Sequence, residues 1–120
     1  MNQNTIDLKQ MLFLIHDQKD IEANFILDEG CTIESENPKP LIKVLNYLFN
    51  FMAQFTEQPM EISLDLMSDP YRLTFLSFCD LQEEPAISDQ LADALNDYNA
   101  EFSMTNHAGQ YLQLVITFKR

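Results

Sequence analysis

Few side chains in this sequence have both the type and the spacing that chemistry requires. His16 precedes Asp20 by four residues, so on a helix both would face one side and could share a metal ion. No third ligand is evident beside them, and we therefore predict no metal site. Cys31 and Cys79 lie within or beside apolar stretches, outside any close-spaced metal or redox motif, which predicts buried free thiols. Because catalytic triads are spatial arrangements that linear spacing does not reveal, no catalytic residue is assigned.

Glycine usage restricts the kinds of nucleotide site that the chain could build. An average content of roughly 7% would give about 8 glycines in a chain of this length. The 120 residues contain two, Gly30 and Gly109, and they are far apart. Phosphate-cradling loops need several glycines so that the backbone can bend and approach the ligand. The composition therefore excludes a P-loop and a dinucleotide fingerprint.

The charge balance is strongly acidic. Nineteen acidic and seven basic side chains give a formal net charge of −12 at pH 7. A nucleic-acid partner needs a basic face that seven scattered cations do not form, and anionic membranes are disfavoured by the same sign. The charge keeps the chain soluble and favours a basic partner through long-range attraction.

Neither a membrane span nor a secretion signal is predicted. No apolar run approaches the ~18 residues of a spanning helix. Residues 1–5 lack the cationic start and apolar stretch of a signal peptide. Together with the unpaired cysteines, these features lead us to expect a cytoplasmic protein.

Three helices are predicted from the spacing of apolar residues. The first covers residues 7–19. The second begins with Asn37 as the N-cap and Pro38 at the first helical position, and it is the most regular of the three. The third is capped by Ser88. Their apolar faces comprise, in chain order, Leu8, Met11, Leu12 and Ile15; Leu41, Val44, Leu45, Leu48, Met52 and Phe55; and Leu91, Ala94, Leu95 and Tyr98.

Alternating apolar residues predict the strands of one sheet. A half-buried strand covers residues 21–27, and residues 62–66 and 73–78 form a hairpin around a turn at Ser68-Asp69-Pro70. A second hairpin closes the chain, and residues 5–7 add a short edge strand. The second strand of the first hairpin is apolar on both faces, which predicts a central position. We therefore predict a single α+β domain over residues 1–120, a two-layer sandwich with about three helices on one face of a mixed, mostly antiparallel sheet.

The order of these elements, with the residues at their landmarks, resembles the ATP-binding domain shared by histidine kinases, gyrases and heat-shock chaperones, the GHKL group. The resemblance covers about residues 5–120. Residues 43–56, KVLNYLFNFMAQFT, are similar to the family's N-box helix, written QVLxNLLxNAxKFT. Residues 76–80, LSFCD, resemble the strand that enters the DxGxG box, and residues 86–91, AISDQL, stand where the family has GTGLGL. Residues 99–118 resemble its closing hairpin.

The N-box asparagine that would hold the phosphate-bridging magnesium is missing from this resemblance. Its position aligns with Phe51, which offers no oxygen, and the polar position one turn earlier aligns with Tyr47. Asn46 and Asn50 are each one residue away, which turns a helical side chain by about 100°. A shifted register would bring Asn50 onto the inner face at the expense of the other matches, and this alternative stays open.

The glycine boxes are altered as well. Asp80 matches the aspartate that receives the adenine amino group, but bulky or charged residues follow it where the family has small ones. Ser88 stands in the second box, which has no glycine here. The lid between the boxes is reduced to residues 81–85, where Glu83 and Glu84 would repel a triphosphate. We therefore expect a degenerate site at Tyr47, Phe51, Asp80 and Ser88, with no bound cofactor.

The resemblance also bears on the histidines. His16 and Asp17 are faintly similar to the His-acid pair of a phospho-accepting helix, but in the family that helix pairs with another and lies well upstream of the ATP-binding domain. We interpret His16 as a surface residue beside solvated acids, and His107 as an exposed residue of a turn.

These observations lead to one functional hypothesis and its rivals. The retained scaffold with replaced ligand positions indicates a non-catalytic module that acts through protein–protein contacts in bacterial two-component signalling. The resemblance implies a partner such as a receiver domain or a kinase, and a homodimer is left open. The alternatives are a divergent ATP-binding kinase or nucleotide-sensing domain, and an unrelated two-layer fold.

Overall fold

A computed structural model describes residues 4–66 and 70–119 of the chain. Within these residues, strands and helices follow the predicted order, with one additional strand. The predicted turn at Ser68-Asp69-Pro70 lies outside the described residues except for Pro70. The elements are β1 (Asn4–Asp7), α1 (Leu8–His16), β2 (Ala23–Leu27), β3 (Thr32–Ser35), α2 (Lys39–Ala53), β4 (Met60–Leu66), β5 (Tyr71–Phe78), α3 (Gln90–Asn96), β6 (Ala100–His107) and β7 (Tyr111–Phe118).

The larger sheet has five strands in the order β2-β4-β5-β7-β6. The β2–β4 pair is parallel and the other three pairs are antiparallel. The predicted mixed, mostly antiparallel sheet and both predicted hairpins are therefore confirmed. The strand expected at the centre, β5, lies there between β4 and β7.

The smaller sheet contains the one strand that the sequence pattern did not predict. Strand β3 pairs antiparallel with β1, so that Ile6 lies opposite Ile33. The strand predicted at residues 5–7 therefore exists, but it lies in this separate sheet and not at an edge of the larger one. The segment before α2 was expected to open the helix at Asn37 and Pro38, but α2 begins at Lys39 with Pro38 as its N-cap. The Asn37 side chain still acts at this end, because its Oδ1 accepts a hydrogen bond from the Lys39 backbone N–H at 3.2 Å. The four residues of β3 show little apolar alternation, so the sequence pattern did not predict this strand. Its backbone pairing with β1 is what identifies it as a strand.

All three helices cover one face of the five-stranded sheet, as predicted. Helix α2 contacts α1, α3 and β5, and α3 contacts β6. Phe49 of α2 meets Phe75 of β5 edge to face, with ring centroids 5.4 Å apart. The sheet side of this core consists of alternate buried residues: Met60, Ile62, Leu64, Leu73, Phe75, Leu112, Leu114, Ile116 and Phe118. The intervening side chains form the open face, so the molecule has two layers.

Two buried hydroxyl groups hold helix α2 at its ends. Near its start, the Tyr98 hydroxyl accepts a hydrogen bond from the Leu41 backbone N–H at 3.0 Å and donates one to the Asn37 carbonyl at 2.8 Å. Near its end, the Ser77 hydroxyl donates to the Met52 carbonyl at 2.8 Å. Helix termini leave backbone groups without intrahelical partners, and these contacts satisfy some of them where water is excluded.

His16 departs from its expected surface position. It is half-buried, and its Nε2 lies 2.6 Å from the Ile21 carbonyl oxygen. Its ring meets Phe25 edge to face at 5.0 Å. The chain turns back after α1 and brings these two residues over the helix end, which linear spacing did not reveal. His107 is exposed, as expected, with its ring 4.4 Å from that of Tyr111.

The Tyr98 contacts generate a prediction about stability and its pH dependence. Tyr98→Phe leaves the buried Leu41 N–H and the partly buried Asn37 carbonyl without the hydroxyl, and we expect a loss of about 1–3 kcal/mol in the free energy of unfolding. Burial, with a smaller contribution from Asp97, raises the pKa of Tyr98 despite the opposing hydrogen bond from Leu41. Folding favours the neutral phenol. The stabilisation that the Tyr98 hydroxyl provides is therefore complete below the unfolded-state pKa of about 10, and it declines as pH rises through the folded-state pKa.

Urea denaturation at neutral pH and at pH values above about 10 checks both parts. The stability difference between wild type and Tyr98→Phe should be largest at neutral pH and shrink at alkaline pH. Tyr111→Phe, which removes a hydroxyl from a half-buried position on β7, is the matched control and should cost less. A difference that stays constant with pH would contradict the assignment.

Candidate functional site: the cleft between the second and third helices

A shallow cleft lies between α2 and α3, where the resemblance places a nucleotide. Its volume is about 270 Å³, and most of its wall is apolar. Ligand pockets for drug-sized molecules typically measure about 300–1,000 Å³, so the volume of this cleft lies just below that range. The residues that line it are Pro40, Lys43, Val44, Tyr47, Ser88, Gln90, Leu91 and Ala94.

Tyr47 and Ser88, two of the predicted site residues, join across this cleft. The Tyr47 hydroxyl accepts a hydrogen bond from the Ser88 backbone N–H at 3.0 Å. The Ser88 Oγ also accepts a hydrogen bond from the backbone N–H of Gln90, the first residue of α3. The N-cap of this helix is Asp89, however, so the prediction that Ser88 caps it is wrong by one residue. The tyrosine thus connects α2 to the segment that enters α3 and occupies the space between them.

Phe51 lies one helical turn further along α2, behind Tyr47 and away from the cleft surface. It is 5% exposed. Its ring stacks on that of Tyr47 with centroids 5.6 Å apart and meets Phe55 edge to face at 5.1 Å. The aromatic pair therefore fills this side of α2 from the cleft wall down to the core, an environment in which an apolar ring is favourable and a metal ion is not.

The amide side chains of α2 face elsewhere. Asn50, which a shifted register would bring inward, is exposed, and its Oδ1 accepts a hydrogen bond from Lys19 Nζ at 3.0 Å. Asn46 is also exposed and lines a different groove, beside α1. Neither asparagine lines the α2–α3 cleft, so α2 presents no amide oxygen to a ligand there.

Asp80 is not brought together with the other three predicted site residues. It is exposed after the end of β5, and its Oδ1 accepts a hydrogen bond from Gln82 Nε2 at 3.1 Å. The same oxygen would lie 3.8 Å from a Cβ placed on Gly109, which puts the carboxylate against the β6–β7 turn. The connection that follows is held there by Asn106, whose Nδ2 donates to the Leu81 carbonyl at 2.9 Å.

The cysteines are unsuited to nucleophilic chemistry. Both side chains are thiols, with Cys31 buried and Cys79 half-buried. Burial raises the pKa of Cys79, the neighbouring Asp80 charge adds to this, and a hydrogen bond from the Leu112 backbone partly opposes it. A thiol acts as a nucleophile or metal ligand in its thiolate form, which this environment disfavours. Within residues 4–66 and 70–119, no group of three His, Cys, Asp or Glu side chains could hold a metal ion.

A second, larger groove between α1 and α2 was missed by the sequence reasoning. Its volume is about 560 Å³, and its apolar residues are Ile6, Met11, Leu14, Ile15, Pro38 and Ile42. Leu14 is 57% exposed and Ile42 is 40% exposed. A signal was present in the sequence, since both residues are large and apolar and lie outside the predicted inner faces of their helices.

Comparisons with known proteins bear on the fold. No protein-family model and no curated protein matches the sequence. Among solved structures, the chain is similar to Acinetobacter baumannii histidine kinase AdeS, with a TM-score of 0.75 at 12% identity over 99% of this chain and 68% of that one. It is similar to the histidine kinase domain of the E. coli osmosensor EnvZ, with a TM-score of 0.71 at 9% identity over 99% and 89%. The catalytic domain of histidine kinase ThkA gives 0.71 at 11% identity over 99% and 96%.

These similarities cover nearly the whole chain and decide between the predicted folds. An unrelated two-layer architecture is excluded, and the expected resemblance is confirmed at the level of structure. Within the described residues, no helix is long and apolar enough to cross a membrane. The chain has the fold of the histidine kinase catalytic (ATPase) domain.

Proposed function

We propose that this chain is a non-catalytic counterpart of the histidine kinase ATPase domain, and that it acts through protein–protein contacts in bacterial two-component signalling. The observation that carries the proposal is the position of Tyr47 in the α2–α3 cleft, where its hydroxyl is hydrogen-bonded to the Ser88 backbone. Receiver domains and kinase domains are the expected partners, and the cytoplasm is the expected compartment.

Ligand chemistry supports the loss of nucleotide binding. Magnesium binds oxygen ligands, usually one or two carboxylates together with substrate phosphates. Helix α2 offers the buried ring of Phe51 at the aligned position, and its two asparagines face away from the cleft. Glu83 and Glu84 are exposed on the short connection before α3, where they add negative charge near the place a triphosphate would occupy.

Surface chemistry supports a role in protein contacts. The groove between α1 and α2 presents Leu14 and Ile42 to solvent beside the partly exposed Met11 and Ile15. Contiguous exposed apolar surface marks interaction sites in soluble proteins. The net charge of −12 adds long-range attraction toward a partner with a basic surface.

Nucleotide titration tests the first half of the proposal. Isothermal titration with ATP or ADP and magnesium should give no saturable heat, and the melting temperature should not move. Phe51→Asn, which places an amide oxygen at the aligned position, should remain unable to bind Mg-ATP because nothing else holds the phosphates. It should also be less stable than wild type, since it buries an amide where an aromatic ring packed.

Binding of wild type tighter than about 100 μM, or about −5.5 kcal/mol, would contradict the proposal and favour a divergent kinase or nucleotide sensor. Measurable Mg-ATP binding by Phe51→Asn alone would place the site one residue from function and favour the same alternative.

Truncation of Phe51 tests whether this ring is packed in the core behind Tyr47. Phe51→Ala should lower the free energy of unfolding by roughly 3 kcal/mol, because a buried aromatic ring is replaced by a cavity. Phe78→Ala is the matched control, since Phe78 is 37% exposed on the open face of the sheet, and it should cost less than half as much. Urea denaturation gives both values, and an unchanged Phe51→Ala would show that the ring is not packed.

Charge placed in the α1–α2 groove tests the second half of the proposal. Leu14→Glu should abolish capture of the signalling partner from a lysate of the source organism, with the captured protein identified by mass spectrometry. Ile26→Glu is the control, because Ile26 is 73% exposed on the opposite face of the sheet. We expect wild type and Ile26→Glu to capture a receiver or kinase domain and Leu14→Glu to capture none. Equal capture by Leu14→Glu would exclude the groove as the binding surface.

A further inference from the structure

Strand β6 is an edge strand without the features that usually prevent edge-to-edge pairing. It is the last strand of the five-stranded sheet and runs for eight residues, AEFSMTNH. Exposed edges are commonly protected by lysine, proline, a bulge or short length. Strand β6 contains no lysine or proline, and its register with β7 is uninterrupted from Ala100 to His107.

The outward backbone groups of β6 belong to its even-numbered residues. The Lys119 N–H donates to the Asn99 carbonyl at 3.0 Å, which makes Asn99 and Lys119 a hydrogen-bonded pair of the β6–β7 ladder. Hydrogen-bonded and non-hydrogen-bonded pairs alternate along an antiparallel ladder. The odd-numbered residues of β6 therefore bond to β7, and the N–H and C=O groups of Phe102, Met104 and Asn106 point away from the sheet.

Charge distinguishes this edge from the rest of the surface. Residues 98–119 contain one acidic residue, Glu101, and one basic residue, Lys119. The two form a salt bridge of 3.1 Å. The formal charge of the hairpin is therefore zero, and the whole net charge of −12 is carried by other parts of the chain. The hairpin that would meet a second copy therefore brings no net charge of its own to the contact.

We propose that β6 pairs antiparallel with β6 of a second copy of this chain, giving a dimer with a continuous ten-stranded sheet. A two-fold axis at Ser103 uses the full set of outward groups, because Phe102 then bonds to Met104 of the second copy and Ala100 bonds to its Asn106. Opposite residues share a face, so the half-buried Phe102 and Met104 side chains cover one another. The dimer does not depend on whether the proposed signalling function is correct.

Backbone chemistry separates strand pairing from other forms of association. Met104→Pro removes an N–H that points away from β7, a position at which an edge strand tolerates proline. Wild type should sediment at about 28 kDa, twice the 14.0 kDa of the chain, at about 100 μM protein. Met104→Pro should sediment as a monomer with a normal circular dichroism spectrum, and Met104→Ala, which keeps the N–H, should remain dimeric.

Salt gives a second signature of the same interface. Raising the ionic strength from about 0.01 M to about 1 M shortens the Debye length from about 30 Å to about 3 Å and screens the repulsion between the two acidic bodies. The dimer fraction should therefore rise with salt, whereas an association held by ion pairs would weaken. A monomer under all these conditions, or a dimer that Met104→Pro leaves intact, would overturn the proposal.

A cysteine cross-link tests the register without relying on a destabilising variant. Ser103 and its copy would form a non-hydrogen-bonded pair with Cα atoms about 4.5 Å apart, within the range of a disulfide. Thr105 and its copy would be offset by four residues, or roughly 13 Å. Under mild oxidation, Ser103→Cys should form a covalent dimer on a non-reducing gel and Thr105→Cys should not, although both positions are exposed. Equal cross-linking of the two variants would contradict this register.

Discussion

The burial of one face of helix α2 is the constraint on which the rest of the structure depends. Seven of its fifteen residues are buried: Leu41, Val44, Leu45, Leu48, Phe49, Phe51 and Met52. At about 1.5–3 kcal/mol for each large apolar side chain removed from water, this face is a major source of folding free energy. Both other helices contact α2, and the Tyr98 and Ser77 hydroxyls hold its ends. The other two helices flank α2 and the sheet lies beneath it, which gives the two-layer arrangement.

The same helix decides what the cleft can accommodate. Tyr47 and Phe51 are one turn apart, so their rings stack, and the hydroxyl of Tyr47 reaches the Ser88 backbone beyond them. A helix that used this side to bind magnesium would have to leave it hydrated and polar. Here the space is occupied by aromatic carbon, which connects α2 to the segment that enters α3 and leaves a cleft of about 270 Å³. In this fold, stability gained along α2 and space for a ligand are in direct competition.

Charge and exposed backbone divide the remaining surface into two kinds of region. Most of the chain carries a strong negative charge, and the groove between α1 and α2 is the larger apolar depression described here. The closing hairpin is neutral, and its edge strand offers unpaired backbone groups. An acidic surface with an apolar groove is suited to a partner of opposite charge, while a neutral edge is suited to a like-charged copy. The two proposed contacts use different parts of the molecule and therefore do not compete.

The sequence by itself determined the elements whose burial is a local property. The apolar spacing of Leu41–Met52 defined α2, and alternation of apolar residues defined both hairpins. The apolar residues on both faces of β5 defined its central position. Such periodicities report which face of a segment avoids water, and this does not require knowledge of the partner. Only the tertiary structure decided the pairing of β1 with β3, the enclosure of His16 and the Tyr47–Ser88 contact across 41 residues. These depend on how separated segments meet, which is settled by the packing of the whole chain and leaves no periodic pattern in any one segment.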